Sequence, residues 1–288
     1  MKSRLQLLGA MSVFGTIGIF VRYIPLPSST IAFVRGFLGV LFLVLTMVCT
    51  RKKPAWAAIR KNLGLLILSG CAIGINWVLL FESYRHTTVA ISTICYYLAP
   101  LFLILMSPLL GERLNLKKLL CVAAAFGGMV LLSGIMDDEQ AQSSNLQGIL
   151  LACGAAVFYA SVMLMNKKFS PIPAYDKTIV QLSAASLVIL PYLLVTDGLS
   201  IRGLTEIQWV LLAVVGIVHT GIAYAMYFGS MKDLPAHTIA IFSYLDPVLA
   251  VLLSTLLLKE PLSIWGIGGA VLILGSALYS ELPERTKH

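Results

Sequence analysis

The sequence predicts an all-α polytopic membrane protein: ten transmembrane helices built as two inverted repeats of five. Three observations lead there. The chain of 288 residues is 58% hydrophobic and only 12% charged, with a mean hydropathy of +0.90. A soluble domain carries about a quarter of its residues as charges, so this chain has too few to cover itself in water. Apolar runs recur along the whole length, with basic residues gathered in alternate connectors. The second half also repeats the first at a fixed offset.

The spans follow from length. A bilayer core of about 30 Å takes about 20 helical residues to cross. Runs of that size lie at roughly 5–24, 30–50, 62–82, 87–109 and 115–135, then at 146–166, 176–196, 206–229, 235–258 and 263–281. Together they use almost the entire chain and leave no room for a soluble domain. The first run follows Met1-Lys2-Ser3-Arg4 and has the outline of a signal peptide. It is too long for one, and no small-x-small site closes it, so it reads as an uncleaved span.

Charge sets the orientation. With the N-terminus in the cytoplasm, sixteen of the 21 Lys and Arg residues fall on that side; Arg22, Arg85, Arg202 and Lys259 fall outside, and Arg35 lies within a span. The positive-inside rule then places both termini in the cytoplasm of a plasma (inner) membrane and sends Asp137-Asp138-Glu139 outside. The same rule accounts for the net charge of +8, which removes the case for a nucleic-acid partner. The five cysteines lie in or beside apolar runs, without metal or disulfide spacing. No metal and no cofactor is expected.

Sliding the chain by 147 residues lays Gly74–Pro100 over Gly221–Pro247 without a gap, with eight of 27 positions identical. Gly74/Gly221, Tyr97/Tyr244 and Pro100/Pro247 are among them, and such residues match by chance less readily than Leu or Val. One further residue brings Glu112 over Glu260. The chain then divides into a first repeat (1–136), an external loop (137–145) and a second repeat (146–288). Five spans per repeat is an odd number, so the second repeat enters the membrane from the opposite side. Carriers commonly use inverted repeats of this kind, with the solute site near mid-membrane where the halves meet.

At these residues the chain resembles the EamA-type branch of the drug/metabolite transporter superfamily. Tyr97-Leu98-Ala99-Pro100-Leu101 followed by Leu110-Gly111-Glu112-Arg113-Leu114 is similar to the family's Pro-then-Gly-Glu-Arg pattern. Tyr244-Leu245-Asp246-Pro247-Val248 with Lys259-Glu260-Pro261-Leu262 is similar to its second copy, although the family usually has Glu where Asp246 stands. Arg35 matches a common family arginine. The resemblance implies a carrier of small solutes with a binding cavity near the helix that holds Asp246. It does not select among amino acids, metabolites and drugs.

Polar groups within spans are the candidate site, because each costs a few kcal/mol at mid-membrane unless paired or solvated in a cavity. Asp246, beside Pro247, either lines the cavity or is satisfied by Ser243 and backbone donors. His219, at mid-depth of its span, suits proton coupling with Asp246 as partner; a hydrogen-bonded structural histidine is the favoured alternative. Arg35 and Glu82 lie at similar depth and read first as a pair joining neighbouring helices. The functional alternative gives Arg35 a substrate carboxylate and Glu82 an ammonium group; Arg85, one turn on, competes for the same carboxylate.

Aromatic residues supply the walls. The aromatic set is Trp77, Tyr96, Tyr97, Tyr159, Tyr224, Tyr227 and Tyr244; Trp77 and Tyr224 are equivalent under the repeat, as are Tyr97 and Tyr244, and these pairs favour a cavity over an interfacial belt. Asn76, Thr93 and Thr220 would add hydrogen bonds. Pro100 and Pro247 are expected to kink their helices, as hinges or as static bends. Ala123/Gly127, Ala124/Gly128 and Gly266/Ala270 allow close helix packing, and a homodimer is a further possibility. Glu112 and Glu260 are expected to cap the next helix, beside Asn115 and Ser263.

The leading expectation is a secondary transporter with a small-molecule substrate, an amino acid or related zwitterion fitting Arg35 and the carboxylates together. No phosphate-binding glycine loop is present. The alternatives are a membrane-embedded enzyme, for which no catalytic constellation is found, and a non-transporting sensor, for which no output domain is found.

Overall fold

The structure, a computed structural model, describes residues 2–87, 89–112, 115–132, 146–199, 201, 203–258 and 264–281. The loop 137–145, Arg113, Leu114, Arg202, the stretch Lys259 to Ser263 with Glu260, and the terminal residues Arg285 and Lys287 lie outside the described residues.

The described chain is helical throughout: α1 (Lys2–Val21), α2 (Ser28–Cys49), α3 (Trp56–His86), α4 (Val89–Tyr96), α5 (Ala99–Met106), α6 (Leu116–Leu132), α7 (Leu146–Lys168), α8 (Ala174–Thr196), α9 (Glu206–Val214), α10 (Ala223–Met231), α11 (Ala236–Ser243), α12 (Leu245–Leu258) and α13 (Ile264–Glu281). A π-helical stretch, Val215–Ile222, joins α9 to α10 without a break. Among the described residues, eight helical stretches are long and apolar enough to cross a membrane. The two remaining expected spans correspond to α6, of 17 residues, and α13, of 18. Leucines such as Leu45, Leu68, Leu187, Leu194, Leu256 and Leu278 are exposed. That distribution suits a multi-pass protein whose outer surface meets acyl chains.

Two expectations are corrected in detail. Helix α3 runs from 56 to 86, beyond the expected 62–82, and at 1.5 Å per residue its 31 residues extend about 46 Å. Its ends are polar: Arg60, Lys61 and Asn62 at one, Glu82, Arg85 and His86 at the other. Hydropathy therefore marked only the apolar middle. The proline helices are broken as well as bent. The chain leaves α4 at Tyr96 and restarts at Ala99; it leaves α11 at Ser243 and restarts at Leu245. Pro100 and Pro247 thus stand in the first turn of a new helix, where a missing N–H leaves no bond unmade.

Packing is reciprocal between the halves. Helix α3 lies against α7 and α8, while its repeat-equivalent, the π-stretch with α10, lies against α1 and α2. Helices α4 and α5 meet α7 as α12 meets α1; α5 meets α11, and α6 meets α13. Glycine makes the closest of these approaches. A Cβ on Gly74 would stand 2.6 Å from Val188 Cβ and 2.8 Å from the Ala185 carbonyl oxygen. Gly74→Ala is therefore expected to destabilise the protein by about 1–3 kcal/mol through overpacking, measured as a lower Tm in detergent. Gly64→Ala, with open space around it, serves as the control. At Gly128 a Cβ would meet the Gly269 carbonyl oxygen at 2.7 Å. That member of the small-residue pairs serves contact between α6 and α13 within one chain.

Asn115 caps α6 as expected, its Oδ1 accepting from the Lys117 N–H at 2.8 Å. Glu112 does not cap that helix. Its carboxylate reaches across to the second half, accepting from the Ala236 N–H at the start of α11 (3.0 and 3.3 Å) and from Lys167 Nζ at 2.8 Å. Lys177, counted in the sequence as a connector charge, lies in the first turn of α8, buried, and donates to the Phe228 carbonyl.

Candidate solute-binding cavity

Breaking α4–α5 and α11–α12 frees backbone carbonyls that need partners in a membrane interior. The two breaks face each other and satisfy one another. Tyr244 donates its hydroxyl to the Tyr97 carbonyl oxygen at 2.8 Å, and Tyr97 donates its own hydroxyl to Asp246 Oδ2 at 2.9 Å. The repeat-equivalent tyrosines therefore hold the carboxylate at the junction of the two discontinuous helices.

Around that junction lies a cavity of about 130 Å³, bounded by Met11, Phe14, Ile17, Arg35, Tyr96, Tyr97, Pro100, Tyr159, Tyr224, Tyr227, Ser243 and Asp246. Its aromatic wall is continuous: Tyr96 stacks on Tyr159 (centroids 5.3 Å apart, planes at 2°), and Phe14 meets Tyr224 and Tyr227 edge-on. Tyr159 and Tyr227 share a hydroxyl–hydroxyl bond of 2.9 Å. A second hollow of about 320 Å³ adjoins it through Ile17, Arg35, Tyr96 and Tyr224, and continues past Trp77 and Tyr84 to Val21 and Ser28 at the ends of α1 and α2.

Arg35 stands where the two hollows meet. Its guanidinium lies 4.8 Å from the Trp77 ring, and its buried Nε has no hydrogen-bond partner among the described residues. An unpaired donor on a charged group inside a membrane protein is expensive. Asp246 lines the same cavity from another helix, with Tyr97 as its described hydrogen-bond partner. One cation and one anion thus line a small aromatic chamber.

The structure separates the sequence candidates. Arg35, Tyr97, Tyr224, Asp246 and Pro100 line the central cavity, and Trp77 lines the adjoining hollow and supports Arg35. Asn76 is buried behind the wall, donating to the Ala155 carbonyl at 2.6 Å and accepting from Tyr96 at 3.4 Å. Tyr244 and Pro247 are likewise packed at the helix break. Thr220 turns its hydroxyl back to the Val215 carbonyl.

The expected Arg35–Glu82 pair does not form. Glu82 belongs to a cluster at the end of α3, where Tyr192 donates to it at 2.8 Å and Arg85 and His86 approach at 3.7 and 3.3 Å. Arg85 lies one turn from Glu82 on the same helix and so takes its charge. His219 and Asp246 also do not pair. His219 Nε2 meets Thr16 Oγ1 at 2.7 Å, Nδ1 faces the Val214 carbonyl at 3.4 Å, and neither hollow includes the ring. Tyr159 on α7 and the α1 residues Met11, Phe14 and Ile17 complete a wall that the repeat alignment, limited to spans 3, 4, 8 and 9, did not reach.

A groove of about 1090 Å³ between α6 and α13 is larger, but its lining is almost wholly apolar and it lies on the outer surface. It lacks the convergent polar groups of a solute site.

Discontinuous helices that meet at a charged, aromatic chamber define a membrane transporter class. Comparison with known proteins agrees. The chain matches the profile of the EamA-like transporter family twice, over residues 1–134 and 146–280, and belongs to that family. It is 30% identical over 249 residues to YxxF of Bacillus subtilis (strain 168), described as an uncharacterized transporter, covering 85% of this chain and 78% of that one. It is 26% identical over 223 residues to a protein named biotin transporter from Escherichia coli (strain K12), covering 75% and 73%. A solved crystal structure superposes with a TM-score of 0.85 at 18% identity, covering 97% of both chains.

Proposed function

We propose that this protein is a secondary transporter of ten spans that moves a small zwitterionic solute, of the amino-acid type, by alternating access between two inverted halves. The observation that carries the substrate class is Arg35, which lines the same cavity as Asp246 and has no carboxylate partner among the described residues. A solute carboxylate completes Arg35, an ammonium group completes Asp246, and the tyrosines flank the rest. Relatives named biotin transporters favour the carboxylate half of this reading, since biotin carries that group. The reciprocal packing of the halves and the twofold family match support the inverted division at 1–136 and 146–288. Tags on both ends of the chain are then expected on the cytoplasmic face.

Of the two proton-coupling candidates, Asp246 is the one the cavity favours; His219 is bonded to α1 and to its own helix. The paired breaks before Pro100 and Pro247 are the places where the halves flex.

A thermal-shift screen of purified protein tests the substrate class. Amino acids that raise the Tm should lose that effect when esterified, which leaves Arg35 without its partner, or N-acetylated, which leaves Asp246 without its partner. An ester and an N-acetyl derivative that both stabilise as well as the parent compound would exclude a two-point site.

A further inference from the structure

We infer that Glu112 and Lys167 form a latch that holds the cytoplasmic end of this transporter closed in the state described. The inference rests on the carrier reading above, because a latch has meaning only if the cavity opens to each side in turn.

The hollow that adjoins the central chamber extends toward one end of the helices. The hollow beyond Arg35 leads to Val21, Ser28 and Tyr84, at the ends of α1, α2 and α3 assigned to the outside. At the opposite end four polar links join residues distant in the chain. Glu112 holds Lys167 Nζ at 2.8 Å and the Ala236 N–H at 3.0 Å. Lys167 also donates to the Leu234 carbonyl, and Ser3 donates to Asp233 at 2.9 Å. Glu112 belongs to the first half and Lys167, Leu234 and Ala236 to the second, so solute cannot leave on that side until they separate.

The position of the pair gives it strength. Its side chains are 9% and 28% exposed for Lys167 and Glu112, unlike a freely solvated surface pair, which contributes little. Lys167 sits at the last turn of α7 and Glu112 at the first turn of α11, each at the helix end its charge favours. One carboxylate in the connector between α5 and α6 therefore ties that connector to α7 and α11, and losing its charge loosens both contacts at once. A static tie that never opens would need no such concentration on a single group.

The test reads accessibility and needs no solute. In a variant with all five native cysteines replaced, Ser243→Cys places a thiol on the cavity wall, and a membrane-impermeant maleimide is added to inverted or right-side-out vesicles. The parent should label slowly from the cytoplasmic face. Glu112→Gln and Lys167→Met should each label about tenfold faster from that face, the factor that ~1.4 kcal/mol of lost latch energy produces. Lys167→Arg, which keeps the charge and the reach, should keep the parent rate. Unchanged cytoplasmic labelling in both Glu112→Gln and Lys167→Met, in protein that stays monodisperse, overturns the latch and leaves the carrier reading intact. Faster labelling in a protein that transports nothing would sustain the latch while removing the carrier reading.

Discussion

Asp246→Asn is expected to weaken solute binding by about 30-fold or more, because truncating one member of a desolvated charge pair costs ~2 kcal/mol at the least. The change removes charge but little volume, and asparagine can still accept from Tyr97. Loss of affinity would therefore report the ammonium contact and not a collapsed helix break. Tyr97→Phe separates the two roles. It leaves the carboxylate in place and deletes one hydrogen bond worth ~1 kcal/mol, so its affinity should fall about fivefold. Titration calorimetry on the best hit of the thermal-shift screen measures both. In liposomes, Asp246→Asn uptake should also stop following an imposed pH gradient, since an amide cannot load and release a proton. Binding that is unchanged in Asp246→Asn places the ammonium site elsewhere.

Arg35→Ala carries the second large effect. Affinity for a carboxylate-bearing solute should fall by at least about 30-fold, whereas a decarboxylated analogue should bind the variant as it binds the parent. Arg35→Lys should recover little, because the guanidinium is planar, lies against Trp77 and offers its donors in a fixed fork. Stability supplies the control. With Nε unpaired and Glu82 engaged by Arg85, His86 and Tyr192, Arg35 makes no ion pair among the described residues. The Tm of ligand-free Arg35→Ala should match that of the parent. A marked fall in Tm with solute affinity retained would make Arg35 a structural element.

Depth in the membrane was legible in the sequence, and direction around each helix was not. Runs of apolar residues gave the helices, the doubled Tyr–Leu–x–Pro marked where two of them depart from a straight course though not that they break, and the family resemblance followed from its residues. Which face of a span meets the cavity depends on neighbours that hydropathy does not identify, since lipid and protein core are both apolar. Tyr96 and Tyr97 both reach the chamber across the break that ends α4, while Asn76 and Trp77 on the continuous α3 part company, one behind the wall and one in it. The α1 contribution was hidden for the same reason: Met11, Phe14 and Ile17 lie at helical spacing in a span with no charged residue at that depth. Glu82 misled because depth alone placed it level with Arg35; Arg85, one turn on, was legible as a competitor, whereas Tyr192 reaching it from α8 was not.

The central claim is that the chamber between the halves moves solute across the bilayer. Reconstituted into liposomes with a pH gradient, the protein should accumulate the best-binding solute above its external concentration. That uptake should saturate and should collapse with the gradient. Linear equilibration without accumulation, or conversion of the solute into a new compound, would contradict the account.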